Sequence, residues 1–372
     1  MNMQHARSGY ILITTLLMLT AGVSVVTYLI TRATSYVPLI DVIGKQEKAR
    51  MLAFAGLQIA AAQLATPPKQ KEGEQEKPKA VPSANPNLAA QKGAADDSRH
   101  LASIILPTLN RWQQFKLKES IEGIDGILNI SVSCEDGKIN LNQIYDFEKK
   151  EFRGEKQKDG GWRKILKDMC GRIEKQMGGK ELFENVENYL KKRVYQLNDV
   201  TELLVVPGFI IFSDKIFYEP PSIDTNKGGN KEARPLYLND IFTLYTQKYT
   251  IDPWVFSDSL AGLLELKRAE SGDREQREKM VETVLKQFKK TANWKADWKQ
   301  LLQPLYQKEL QSLPSGIESV LGTTFDPRVF SIVVHATVDS VTQRLYAIVE
   351  RIQQDGEGAA QTQVQIRKVY WL

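Results

Sequence analysis

One apolar stretch near the amino terminus decides how this chain is organised: YILITTLLMLTAGVSVVTYLI, residues 10–30. No charged residue lies between Arg7 and Arg32. A helix needs about 20 apolar residues to cross the core of a bilayer, and this stretch supplies them. It is too long for the apolar core of a secretory signal, and no small-residue cleavage site follows it. The sequence therefore predicts a transmembrane helix.

The helix is expected to continue beyond the membrane. Residues 39–65 are rich in Ala, Leu, Gln, Lys and Glu, which all favour helix. An apolar stripe at helical spacing is predicted from Leu52, Gly56, Ile59 and Gln63–Leu64. The next stretch, residues 66–99, has no aromatic residue and is rich in Pro, Lys, Glu and Gln, which predicts a flexible linker.

Two regions of alternating apolar and polar residues predict an antiparallel sheet. ISVSCEDGKINLN (130–142) predicts a hairpin that turns at Asp136-Gly137. Three more strands are expected over 329–339, 341–352 and 363–372. Their apolar face consists of Phe330, Ile332, Val334, Ala336 and Val338. Such a face must be covered, and the second half of the long helix is the expected partner.

The region between these strands is predicted to be helical. Four stretches have apolar residues at helical spacing: 182–197, 235–247, 253–267 and 280–310. We therefore predict an α+β fold, in which a long amino-terminal helix packs on an antiparallel sheet and a large all-helical domain is inserted into the sheet domain.

The composition limits the classes of function that fit this chain. Of 372 residues, 42% are apolar and 26% charged, and the net charge is only +5, which gives no sign of nucleic-acid binding. With three His, two Cys and no phosphate-binding, dinucleotide-binding or metalloprotease motif, we expect no enzyme activity. No catalytic, cofactor-binding or metal-ligating residue is predicted.

The sequence RSGYILIT (7–14) resembles the processing site of type IV prepilins and type II secretion pseudopilins. The resemblance implies that a prepilin peptidase cuts between Gly9 and Tyr10 and that Tyr10 becomes N-methylated. Most members have Glu at the fifth position after the cut, where this chain has Thr14. The absence of that Glu is typical of the minor pseudopilin K class.

Other stretches resemble the pseudopilin K family (general secretion pathway protein K) in chain order. They are KINLNQI (138–144), LNDVTELLVVPGF (197–209), PLYLNDIFTLYTQKYTID (235–252) and the closing strands with their terminal aromatic pair. The resemblance implies a pilin-like fold and a place at the tip of a type II secretion pseudopilus. There the protein would initiate or cap assembly for protein export, with other minor pseudopilins and the major pseudopilin as partners.

The same resemblance implies a single-pass inner-membrane protein with its carboxy-terminal domain in the periplasm. The positive charges favour the opposite orientation, because Arg32, Lys45, Lys48 and Arg50 follow the span and only Arg7 precedes it. We give the processing site more weight. The predicted segments are a leader (1–9), a transmembrane and spine helix (10–65), a linker (66–99), a first sheet part (100–142), a helical insertion (143–325) and closing strands (326–372).

The chain departs from the family at its calcium-binding region. Calcium needs hard oxygen ligands at short spacing, and the equivalent stretch, ENVENYLKKRVYQ (184–196), has no cluster of Asp. Glu184 and Glu187 are expected on a solvated helix face. No calcium site is therefore carried over to this chain.

Several alternatives stay open at the level of sequence. The chain could instead be a tip minor pilin of a type IV pilus or an envelope binding module unrelated to pili. LLVVPGF (203–209) is similar to a phosphate-gripping hairpin but is better interpreted as a packing turn. Cys134 and Cys170 either form a disulfide or stay as buried thiols. His335 is expected at a sheet surface or rim, opposite the apolar face.

Overall fold

The computed structural model describes residues 4–65, 99, 101–155, 161–220, 235–266, 274–288, 297–354 and 361–372. Residues 66–98 of the predicted linker lie outside these ranges, as do residues 289–296. The helices are α1 (Gln4–Ala65), α2 (101–108), α3 (Glu119–Glu122), α4 (Leu141–Ile144), α5 (Gly161–Met177), α6 (Leu182–Lys192), α7 (Leu238–Ile241), α8 (Asp258–Leu263), α9 (Arg274–Gln287) and α10 (Gln303–Tyr306). The strands are β1 (Trp112–Leu117), β2 (Gly126–Cys134), β3 (Ile139–Asn140), β4 (Tyr145–Asp146), β5 (Glu151–Phe152), β6 (Phe242–Thr243), β7 (Val329–Val338), β8 (Val341–Gln354) and β9 (Gln361–Trp371).

The first helix is a single element of 62 residues, which confirms the predicted long helix. At 1.5 Å per residue it is about 90 Å long. Its second half covers one face of a sheet, and its first half extends away from that sheet with exposed side chains.

The main sheet has five antiparallel strands in the order β1-β2-β7-β8-β9. The three closing strands are as predicted, and the turn between the first two lies at Asp339-Ser340. The predicted apolar face of β7 is buried together with the second half of α1. Periodicity therefore predicted both the closing strands and the helix that covers them.

The predicted hairpin at Asp136-Gly137 is wrong. Strand β2 pairs with β1 on one side and with β7 on the other, so no neighbouring position is left for residues 138–142. The sequence EDG instead forms one 3₁₀ turn, Glu135–Gly137, and Ile139–Asn140 pairs in parallel with β6. A turn that looked solvent-exposed is buried at the base of the helical region.

The helix stripe that contacts the sheet is displaced from its predicted position. Leu52, Gly56 and Leu64 are buried as expected, but Ile59 is 39% exposed. The other buried positions are Ala49, Ala53, Leu57, Ala60 and Ala61. Small alanines bring the helix close to the sheet, so the contact face is chosen by fit as well as by hydrophobicity.

The direction of α1 along the sheet can be read from its polar contacts. Lys45 Nζ lies 3.3 Å from Asp339 Oδ2 at the β7–β8 turn. Arg351 Nε donates to the carbonyl of Leu64 at 3.0 Å, at the opposite end of the sheet. Because Cys134 pairs with Phe330 and Arg351 N donates to Arg328 O, the chain leaves and rejoins the sheet at this second end. The described residues between 135 and 328 therefore emerge at the end of the sheet that lies farthest from the apolar amino-terminal half of α1.

The region 135–328 also covers the second face of the sheet. Trp112 stacks on Tyr218 with ring centres 5.5 Å apart, and Phe217 packs on Tyr346 at 4.9 Å. Tyr370 of β9 donates to Asp199 at 3.1 Å, which ties the edge strand to this region. Its buried side chains belong to the same core as those beneath α1, and its standing as a separate domain stays a prediction.

Within that region the helix predictions are only partly right. Helices α6, α8 and α10 fall inside predicted stretches, whereas α9 begins at Arg274, before the predicted stretch 280–310. The prediction for 235–247 is wrong beyond a single turn, α7, because the chain then becomes strand β6. The apolar residues of 235–247 follow helical spacing, but they are buried on several sides of the chain. The parallel pairing of β6 with β3 supplies the backbone hydrogen bonds that a helix would otherwise make.

Candidate functional site

The predicted processing site lies within the first turns of α1. The backbone is helical through Gly9 and Tyr10, and side chains are described from Ile13 onward. Thr14, the residue in the place of the usual Glu, is half-buried. The cleavage and methylation themselves stay predictions.

The apolar half of α1 has the length of a membrane span. Ile13–Arg32, 20 residues near the amino terminus, is the stretch of the described helices that is long and apolar enough to cross a membrane. The hydroxyls of Ser24, Thr27 and Thr31 each donate to the carbonyl four residues earlier at 2.8 Å. These local bonds satisfy the polar groups of the span, as a lipid environment requires.

A second apolar surface lies on α1 between the span and the sheet. Tyr36, Leu39, Ile40 and Ile43 occur at i, i+3, i+4 and i+7, so they share one face of the helix. Their exposure ranges from 49% to 66%. We call these four residues the α1 stripe. A helix face of this kind is normally buried, and the described part of the chain leaves it uncovered.

A group of charged side chains lies where the region 135–328 joins the sheet, and all of them are buried except Lys248, whose side chain is 30% exposed. We call this group the charged hub, and its members are Glu135, Asp136, Lys138, Asp240, Lys248 and Asp252. Lys138 pairs with Glu135, and both side chains are 1% exposed. Lys138 Nζ also donates to Ser331 Oγ at 2.9 Å and to the Asn239 carbonyl at 2.8 Å. Glu135 accepts from Thr243. One ion pair therefore links β2, β7 and the segment 239–243.

The second part of the hub is acidic. Asp136 Oδ2 accepts from Arg328 N at 3.0 Å, and its Oδ1 lies 3.7 Å from Lys248 Nζ. Asp252 N donates to the Asp136 carbonyl at 2.8 Å. Asp252 Oδ1 accepts from Trp254 N at 3.0 Å, whereas its Oδ2 is buried without a hydrogen-bond partner.

Burial dominates the protonation of these acids. It raises the pKa of Asp252 to about 7, against the partial opposing effect of the Lys248 ammonium. Burial also raises the pKa of Asp136 and of Asp240. Removing a carboxylate from water disfavours its charged form, and one nearby lysine does not fully compensate for this.

The sequence patterns did not predict the charged hub. Glu-Asp-Gly-Lys after a strand is typical of an exposed turn, and such charged residues are rarely buried unless they are paired. Its partners are separated from it by about 100 to 200 residues along the chain. The only local hint was the dense charge between two strongly apolar segments.

The other predicted residues have these environments. Cys134 and Cys170 are free and buried, so the structure has the thiol alternative and not the bridge. Glu187 is not solvated as expected, because Arg163 binds its carboxylate with two hydrogen bonds of 3.0 and 3.1 Å. No group of three or more His, Cys, Asp or Glu within the described ranges could hold a metal ion.

His335 lies on the predicted sheet face, but the expectation of a rim position is wrong. The residue is 6% exposed, and its ring meets the Trp112 ring edge-on at 5.3 Å. Burial lowers the pKa of His335 to about 4. It is therefore a neutral core residue at neutral pH.

These observations define a class: an α+β protein whose apolar amino-terminal helix continues into a spine on an antiparallel sheet, consistent with a pilin-like fold. No family model matches the chain, and no curated protein matches it in sequence. Among solved structures it is similar to a chain in the GspK-GspI-GspJ complex of the type 2 secretion system from enterotoxigenic Escherichia coli. The identity is 12%, the match covers 77% of this chain and 97% of that chain, and the TM-score is 0.37.

Proposed function

We propose that this protein is a membrane-anchored minor pseudopilin at the tip of a type II secretion pseudopilus. Its role is assembly without bond chemistry, and no cofactor takes part. It is processed after Gly9, anchored by Ile13–Arg32, and directed with its folded part into the periplasm. Other minor pseudopilins and the major pseudopilin are its partners.

The α1 stripe is the observation that carries this proposal. A span of about 20 residues fills the bilayer core, and the stripe begins four residues after Arg32. The chain's own sheet contacts α1 only from Lys45 onward. Four large apolar side chains on one helical face therefore need a cover that the described residues do not supply, and the apolar helix of another subunit has the matching shape and chemistry.

The position of the region 135–328 supports a place at the tip. It emerges at the end of the sheet beside Leu64, remote from the span. A subunit stacked beyond this end would meet that bulk, whereas subunits on the membrane side would meet α1. The chain is thus suited to lead a filament and poorly suited to its repeating body.

The first test concerns processing. The full chain is expressed with and without a prepilin peptidase, and its intact mass and amino-terminal sequence are determined. We expect a chain that begins at methylated Tyr10 only when the peptidase is present. An unprocessed precursor in both cases would contradict the pilin-like assignment.

The second test concerns the α1 stripe. We expect Ile40→Asn to abolish co-purification with minor pseudopilins of a type II secretion system, because it places an amide in the apolar contact. Thr34→Asn is the matched control, since Thr34 is exposed on the same helix but outside the stripe. Membrane extraction should be unchanged in both variants. Equal co-purification of the two variants would exclude the stripe as the contact.

A further inference from the structure

The charged hub contains more acids than bases. Its carboxylates belong to Glu135, Asp136, Asp240 and Asp252, all nine-tenths or more buried, and its ammonium groups are those of Lys138 and Lys248. Lys138 forms an ion pair with Glu135. Lys248 also donates a hydrogen bond to the Asp326 carbonyl at 2.5 Å. With every acid ionised, the hub would hold excess negative charge in a buried volume, which is strongly unfavourable.

Asp252 is the member whose charge is compensated least. Its Oδ2 has no hydrogen-bond partner. The groups that face it are Lys248 on its own segment, Asp136 from the turn after β2, Asp326 from the segment before β7, and the Cys134 thiol of β2. Three of these five groups, Asp252 included, are acids, and only one is a cation.

Asp252 also lies on the segment that holds the hub together. Its N–H donates to the Asp136 carbonyl at 2.8 Å, and Ser257 N donates to the Gly137 carbonyl at 3.3 Å. These two backbone bonds attach residues 252–257 to the turn Glu135–Gly137. Loss of this attachment would expose Asp252 to water without unfolding the main sheet.

We propose that the hub is a proton-dependent joint between the region 135–328 and the sheet. A proton on Asp252 keeps residues 252–257 attached to the turn Glu135–Gly137, and loss of that proton to solvent loosens the attachment. The neutral acid can be buried, whereas the carboxylate has one oxygen without a donor and two acids beside it. In the unfolded chain the same carboxyl ionises near pH 4, so ionisation weakens the folded joint as pH rises.

Amide hydrogen exchange of the full chain in detergent micelles tests the joint. Peptides covering residues 246–258 are followed from pH 5.5 to 8.5, with correction for the intrinsic pH dependence of exchange. We expect the opening constant of this segment to rise by up to about tenfold per pH unit below the midpoint at which the buried carboxyl ionises, and to level off above that midpoint. Asp252→Asn, which cannot ionise, should remove the rise. Asp168→Asn, on the outer side of α5, should leave it in place.

Lys248→Met supplies an independent readout with a predicted direction. Removing the ammonium takes away the cation that faces Asp252, so the rise in opening should continue to higher pH before it levels off than in the wild type. If Lys248 acts only through packing, Lys248→Met should increase opening at every pH without moving the midpoint of its pH dependence. A wild-type segment whose corrected exchange is independent of pH, or a midpoint that Lys248→Met leaves unchanged, would overturn the proposal.

Discussion

At the scale of single residues, a glycine lets the buried turn approach the segment that carries Asp252. A Cβ atom at Gly137 would lie 1.8 Å from the carbonyl oxygen of Val255. The obstacle is backbone, which cannot rotate away as a side chain can. The glycine that seemed to mark a hairpin turn is thus needed for close packing.

We expect Gly137→Ala to lower the free energy of unfolding by about 3 kcal/mol or more, because two backbone segments would have to separate. Denaturant unfolding followed by tryptophan fluorescence measures the change. Gly262→Ala is the control, since the nearest atom to a new Cβ there is 3.9 Å away and the residue lies in α8. That variant should be neutral or stabilised by up to about 1 kcal/mol. Equal stability of the two variants would contradict the packing argument.

At the scale of elements, the close approach of α1 to the sheet depends on small residues. A Cβ at Gly56 would lie 2.8 Å from side-chain atoms of Leu128 in β2 and Val334 in β7. Both neighbours are fully buried, so neither has space to move. Gly44 on the same helix has nothing within 4 Å.

Gly56→Leu should therefore destabilise the contact between helix and sheet by about 2–3 kcal/mol, whereas Gly44→Leu should not. Thermal unfolding of the full chain in detergent compares the two. If Gly44→Leu lowers the melting temperature as much as Gly56→Leu does, general helix effects and not sheet packing would explain the loss.

At the scale of the whole molecule, α1 has two separable roles. Up to Gly44 its described side chains from Thr15 onward are exposed, and the apolar ones require a membrane or a partner. From Ala49 to Leu64 it forms one wall of the core. The same helix is thus an attachment device in one half and a structural element in the other.

Two truncated chains test this division. A chain that begins at Gly44 keeps the wall and loses the exposed apolar half, so we expect a soluble, cooperatively folded protein. A chain that begins at residue 66 uncovers Leu128 and Val334, and we expect it to aggregate and bind a hydrophobic dye. Solubility, dye binding and circular dichroism distinguish them. A well-folded, dye-free chain from residue 66 would show that α1 is not part of the core.

Sequence analysis predicted the elements whose signal comes from neighbouring residues. An uninterrupted apolar stretch and the amphipathic pattern after it predicted α1, and strict alternation predicted β7, β8 and β9. The processing sequence at Gly9-Tyr10 and the resemblance built on it are also sequence-level statements. Helical and strand periodicity arise from neighbouring residues, so a single chain is enough to read them.

Which polar groups are buried, and which apolar residues are exposed, became clear from the folded structure alone. The turn Glu135–Gly137 is interior because Thr243, Asp252 and Ser331, all distant in sequence, supply its partners. Residues 235–247 left the helical pattern because β3 offered a parallel pairing. The physical reason is that a buried charge or strand is stable only with partners, and those partners come from other parts of the fold.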